Sequence, residues 1–267
     1  MRTIRTRVLV ASVCLAVLAP CAGDASSLTS AQAASRAARF FESVGWKPNG
    51  KVSVSGPSVG NRGEEYRVSA GDLLLSIDMR SGSITYASSG RGYTKPKTSI
   101  SAAKALDQAK RYAKAAGLSL AGRKADVVQP SQVVFRRYYR GHPFMDDTIT
   151  MMIYSGDGSL KSLNSGKACP LPASTLANIN KRDSERNCRR ILTGQRLQLG
   201  RVLSQRLMIV QPNNYWGGSW LAKRGEEQGF SKLAWVIRFE RLPGGGHFAE
   251  GWVDAANGRV IGGVQCK

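Results

Sequence analysis

One pattern occurs three times along this 267-residue chain, and a chain built by repetition must solve the same burial problem three times. With Leu28, Ile100 and Ile179 aligned as position zero, the next residues are Thr29, Ser101 and Asn180, side chains that accept a bond from the free amides of a helix's first turn. Ala33, Ala105 and Ser184 stand at plus five, and Ala37, Ala109 and Cys188 at plus nine. Phe40, Tyr112 and Ile191 follow at plus twelve, then Phe41, Ala113 and Leu192. These offsets return to one side of a 3.6-residue helix, small residues first and bulky ones last. Such a stripe lets a helix lie close on a sheet.

After each helix comes an alternating, β-rich stretch ending in a hairpin. The first runs Leu73 to Asp78, turns through Met79-Arg80-Ser81-Gly82 and leaves as Ser83-Ile84-Thr85-Tyr86. The third reads Gly251-Trp252-Val253-Asp254, Ala255-Ala256-Asn257-Gly258, Arg259-Val260-Ile261. Asp stands four residues before Gly in both: the carboxylate can bond the turn amides and Gly supplies the positive φ of the reversal. The second hairpin, Tyr154-Ser155-Gly156-Asp157-Gly158-Ser159-Leu160, keeps the Gly and the following aliphatic residue but shifts the Asp.

A helix followed by antiparallel strands, with a terminal turn reading Asp-x-x-x-Gly-x-aliphatic, resembles the PepSY family of exported bacterial domains. Tyr139-Arg140-Gly141-His142-Pro143-Phe144 is similar to the aromatic, Gly, Pro, aliphatic strand that precedes the hairpin in that family, and Ala234-Trp235-Val236-Ile237 to its aromatic-led strand. The resemblance implies control of a peptidase or of another envelope protein through contact rather than turnover. The fold expected is α+β, as three tandem modules, each one helix packed on an antiparallel β-sheet. They span 26–95, 96–166 and 167–267, the last with a long aromatic loop insertion. Segments 88–99 and 164–174, rich in Gly, Pro, Ser and Lys, are the expected linkers.

Residues 1–25 read as a signal peptide: Arg2, Arg5 and Arg7 precede an apolar run from Val8 to Ala19, too short to span a bilayer. Small residues at Gly23 and Ala25 suit cleavage after Ala25. Cys21 could mark a lipoprotein, but Pro20 sits where the lipidation signal wants a small, unconstrained residue, so ordinary cleavage is the expectation. The product would be secreted or periplasmic, with no integral membrane segment after cleavage. The chain's formal charge is +21, and nearly all of it falls after residue 25, on all three modules, a field that attracts anionic partners within about 8–10 Å at physiological salt. Cys169, Cys188 and Cys266 follow the signal, and export permits one disulfide among them, with no pairing indicated by spacing.

Motifs for chemistry do not assemble. Gly56-Pro57-Ser58-Val59-Gly60 matches the G-x-S-x-G of hydrolases, but a strand follows it where the nucleophile elbow needs a helix, and His142 and His247 fall in other modules. Ser101-Ala102-Ala103-Lys104 matches S-x-x-K, yet the repeat makes Ser101 a helix cap and Lys104 a variable outer position. The cysteines and histidines lack zinc-site spacing, and no cofactor or metal is implied. Asp146-Asp147, Glu64-Glu65 and Glu226-Glu227 read as solvated strand or loop charges. The expectation is a non-enzyme.

Two surface features stand out. The third module's insertion carries Tyr215, Trp216 and Trp220 followed by Lys223 and Arg224, stiff aromatic area beside positive charge, suited to binding or to covering a neighbouring module. Arg136-Arg137-Tyr138-Tyr139-Arg140 places Arg137 and Tyr139 on one strand face and Arg136, Tyr138 and Arg140 on the other, as a basic binding face or a charged sheet edge. Two functions follow: an exported interaction protein with a protein partner in the envelope or outside the cell, or a basic binder of an anionic polymer such as nucleic acid, lipid head groups or acidic cell-wall polymer.

Overall fold

The computed structural model describes residues 27–60, 63–90, 99–129, 131–213, 215–216, 230–242 and 247–266. Helix α1 (Ser30–Val44) is followed by strands β1 (Val52–Val59), β2 (Glu64–Ala70), β3 (Leu73–Asp78) and β4 (Ile84–Ser88). Helix α2 (Ala102–Ala115) precedes β5 (Arg123–Gln129), β6 (Gln132–Tyr139), β7 (His142–Ile153) and β8 (Leu160–Ser165). Helix α3 (Lys181–Gly194) precedes β9 (Leu199–Val210), β10 (Lys232–Arg241), β11 (Phe248–Asp254) and β12 (Val260–Cys266). The signal-peptide segment and most of the linker 88–99 lie outside the described residues.

The local chemistry repeats as the pattern dictates. Thr29, Ser101 and Asn180 are the N-caps, accepting from the amides of Gln32, Lys104 and Asp183. The residue before each cap then ties its helix to a hairpin turn: Leu28, Ile100 and Ile179 donate their amides to the carbonyls of Met79, Ser155 and Ala255. Gly82, Gly158 and Gly258 take φ of 66°, 79° and 77°, the left-handed region that the turn needs. Asp78 accepts from the Ser81 amide and Asp254 from the Ala256 amide, while in the second hairpin Asp157 accepts from Ser159. The helical stripe is buried as expected except at Ile191, which is 37% exposed; α3 closes its stripe on Leu192 alone.

The expectation of three tandem modules, each with a helix on its own antiparallel sheet, does not hold. Among the described residues the strands join into one 12-stranded mixed sheet of order β1-β2-β3-β4-β8-β7-β9-β10-β11-β12, with β6 also paired to β7 and β5 to β6. Strand β4 pairs antiparallel with β8 through Tyr86↔Asn164, Ala87↔Leu163 and Ser88↔Ser162. Strand β7 meets β9 in parallel at Phe144↔Ile209. The physical reason is that a small four-stranded sheet would present unpaired edge amides and hide too little apolar area, and joining edges relieves both.

The core merges accordingly. Helices α1 and α2 share one apolar cluster with β2–β4 and β6–β8, in which Phe40, Phe41, Ile77, Ile84, Ile149, Met151 and Leu163 are buried. Polar bonds cross the same boundary: Trp46 donates its indole N–H to the Leu160 carbonyl at 3.0 Å, and Arg36 donates to the Ala115 carbonyl at 2.9 Å. Helix α3 covers β9–β11 with Cys188 and Leu192, against Ile237, Phe239, Ala249 and Val253. Phe144, Cys169, Ile209, Leu233 and Ala255 form a separate apolar cluster where β7 meets β9.

Candidate functional site

Strand alternation sends Val68, Leu75, Ala87 and Leu163 toward α1 and α2 and leaves a second face without helices. Across that face the register aligns Ser55, Arg67, Ser76, Tyr86 and Asn164 in one row and Ser53, Ser69, Leu74, Ser88 and Ser162 in the next. Leu74 is 48% and Tyr86 40% exposed, in a surround of hydroxyl and amide groups. A concavity of about 700 Å³ opens there. Its floor includes Glu65, only 6% exposed, whose Oε1 accepts from the Thr85 hydroxyl at 2.8 Å. Thr85 reaches Glu65 because the β3–β4 register shifts between Ser76 and Ile77, which leaves Thr85 unmatched in the ladder. A side chain at Gly60 would overlap the Glu65 carboxylate, so glycine is what leaves room for it.

The arginine run on β6 has a different task from the one its sequence suggests. Strand β6 lies between β5 and β7, so the charges do not guard a sheet edge. Between Arg136↔Thr148 and Tyr138↔Pro143 the register with β7 slips, bulging out Phe144 to Asp147 and stripping ladder partners from their carbonyls. Guanidinium groups fill the loss. Arg136 donates to the carbonyls of Phe144 and Met145, both at 2.8 Å, and Arg123 to that of Asp147 at 2.8 Å. The Asp147 carboxylate, 2% exposed, sits between Arg123 at 2.6 Å and Arg137 at 3.0 Å. Arg137 also donates to the Cys169 carbonyl and stacks over the Phe144 ring at 4.8 Å. The bulge aims Phe144 at Ile209, so these arginines make the β7–β9 junction. Arg140 is exposed in the β6–β7 turn with φ 47°, over the Tyr139 ring at 5.3 Å.

Electrostatics follow the geometry. Burial alone would raise the pKa of Asp147, but hydrogen bonds from Arg123 and Arg137 prevail and hold it below the ordinary carboxylate range. Asp146 keeps an exposed side chain but is nudged up, by partial desolvation against the bulge first and then by Glu250, against the pull of Arg136. On β11, Glu250 is buried and accepts from Arg238 at 2.9 Å and from the Trp252 indole at 2.9 Å. The reading of the acidic doublets as solvated is therefore corrected at Asp147 and Glu65. Glu64 is exposed, and Glu226-Glu227 lie outside the described residues.

The other sequence candidates scatter. Trp216 is buried on the α3 side of β11–β12, donating its indole N–H to the Glu250 carbonyl at 2.9 Å, with Tyr215 exposed and edge-on to it at 4.8 Å. Trp220, Lys223 and Arg224 lie outside the described residues. Cys169, Cys188 and Cys266 form no disulfide with one another and lie in three places, the junction, the underside of α3 and the end of β12. Burial pushes the thiols of Cys169 and Cys188 up to about 12. Ser58 sits within β1 and donates to the Glu65 carbonyl, and Ser101 is a helix cap, so neither is presented as a nucleophile. Among the described residues no cluster of three or more His, Cys, Asp or Glu side chains is placed to hold a metal, and no helix is long and apolar enough to cross a membrane. Sequence reasoning missed Glu65, Arg67, Leu74, Tyr86 and Asn164. The signal available for the first was alternation, with Glu65, Arg67 and Ser69 on one face of a strand whose other face, after Glu64, is Tyr66, Val68 and Ala70.

No family model matches this chain, and no curated protein matches it. Among solved structures it is similar to the Bacillus megaterium YpeB C-terminal domain, at 13% identity and a TM-score of 0.47, with 90% of this chain and 99% of that chain covered.

Proposed function

We propose that this chain is an exported, non-enzymatic interaction protein that engages a protein partner across the helix-free face of β1–β4 and β8. The observation that carries this reading is the open face itself: exposed Val59, Leu74 and Tyr86 line a concavity of about 700 Å³ together with Arg67 and the short polar side chains of Ser55, Ser69, Ser76 and Asn164. Aromatic and aliphatic anchors beside a pocket, rimmed by hydroxyls, are the usual anatomy of a protein-binding patch. The PepSY-like motifs support a partner in the cell envelope, a peptidase or another envelope protein, regulated or inhibited by contact.

A second reading rests on the helices. Lys104, Lys110, Arg111 and Lys114 on α2 are exposed, as are Arg182, Arg186 and Arg190 on α3, with Asp107 and Asp183 as nearby acids. That surface suits an anionic polymer. The arginines of β6 add less to it than their number suggests, because Arg136 and Arg137 are engaged at the bulge.

A double substitution, Leu74→Glu with Tyr86→Ala, separates the two. Under the first reading it abolishes retention of the partner on the immobilised full chain at unchanged melting temperature, and retention barely changes between about 50 and 200 mM salt. Retention that survives the double substitution and falls log-linearly with salt would instead assign binding to the basic helices.

A further inference from the structure

We propose that the concavity on the open face receives a positively charged side chain, the ammonium of a lysine or the guanidinium of an arginine, from the protein partner. The inference rests on the reading of that face as the partner's site and adds the chemistry it selects. A carboxylate in a floor position is costly to desolvate unless charge or hydrogen bonds compensate it. Glu65 is compensated only in part: Oε1 accepts from Thr85, while Oε2 has no hydrogen-bond or ion-pair partner among the described residues. Glu65 nevertheless lines the concavity and is 6% exposed, and Gly60, which lines it too, carries no side chain to cover Oε2.

The other walls fit the same guest. Tyr86 and Leu74 offer apolar area for a methylene stem, and an aromatic face near a cation adds attraction. Arg67 lines the same space two residues along β2 and forms no ion pair with Glu65, so among the described residues the carboxylate has no counter-ion. Its guanidinium is left to meet a carbonyl or acidic group beside the inserted cation. In a chain of net charge +21, a carboxylate recessed in a pocket is a local reversal of sign, which discriminates by position rather than by the overall field.

The test titrates the full chain with Nα-acetyl-lysine amide, with agmatine and with Nα-acetyl-norleucine amide, read by the amide chemical shifts of Glu65, Thr85 and Tyr86. The two cations should produce saturable shifts at these residues and the neutral isostere should not. Glu65→Gln retains the acceptor for Thr85 and should weaken the cations about ten-fold or more, the scale of losing a charge-assisted bond. Gly60→Ala, whose methyl group displaces the carboxylate, should do the same while melting stays near that of the parent. Equal response to norleucine amide, or unchanged cation binding in Glu65→Gln, would overturn the inference. The two levels separate cleanly. Cation binding without partner retention removes the partner reading and leaves the pocket's selectivity, whereas partner retention undiminished by Glu65→Gln removes the pocket's role and leaves the face.

Discussion

Replacing Asp147 by alanine removes the one carboxylate shared by Arg123 and Arg137 in the β7 bulge. The two arginines are not equal: the Arg123 side chain is 8% exposed and the Arg137 side chain 32%. Loss of Asp147 leaves Arg123 as a buried charge without a counter-ion, a situation that costs about 3–5 kcal/mol, whereas water recovers part of the loss at Arg137. For a chain of this size each kcal/mol lowers the melting temperature by about 2–4 °C, so a fall of roughly 6–20 °C is expected. Urea and thermal unfolding of Asp147→Ala, Arg123→Ala and Arg137→Ala give the magnitude, and Arg137→Ala should be the mildest. The sign with pH is fixed by the direction of the shift. The folded pKa lies below the unfolded value of about 3.9, so the stabilisation is complete above that value and fades as pH falls toward the folded pKa. The gap between parent and Asp147→Ala should therefore close in acid. A loss under about 1 kcal/mol at neutral pH, or a gap that widens in acid, would refute the reasoning.

Further expectations are open to simpler tests. Side chains at Gly251 and Gly263 would overlap Cys188 Sγ and the Trp216 indole, so either Gly→Ala change should cost about 1–3 kcal/mol by overpacking, measured by urea unfolding. Thiol labelling of the folded chain should modify Cys266 rapidly and spare Cys169 and Cys188, whose buried thiols carry pKa values of about 12, until denaturant is added. Ser101→Ala should lower stability by about 0.5–2 kcal/mol through loss of the α2 cap and leave partner retention unchanged.

The helices and turns were legible because their causes are local. Caps at Thr29, Ser101 and Asn180, small residues at Ala37, Ala109 and Cys188, and Gly82 and Gly258 in positive-φ turns each act within a few residues of their place in the chain. Sheet continuity was not legible. The β4–β8 pairing joins Ala87 to Leu163, and nothing in either strand alone marks its edge as one that will be covered. The arginine run misled for a related reason: the bulge that consumes Arg136 and Arg137 is a property of the β6–β7 register. Asp147 read as solvated because its partner Arg123 lies 24 residues away on β5. Glu65 was visible only as half of a doublet, although alternation separates it from exposed Glu64.

Site-specific photocrosslinking in the producing cell tests the functional account most directly. A crosslinker placed at Leu74 or at Ser76, on the open face, should yield one discrete protein adduct that Glu65→Gln diminishes, and one placed at Lys110 on α2 should not yield it. An adduct obtained from Lys110 and absent from both sheet positions would contradict the account and move the interface to the basic helices.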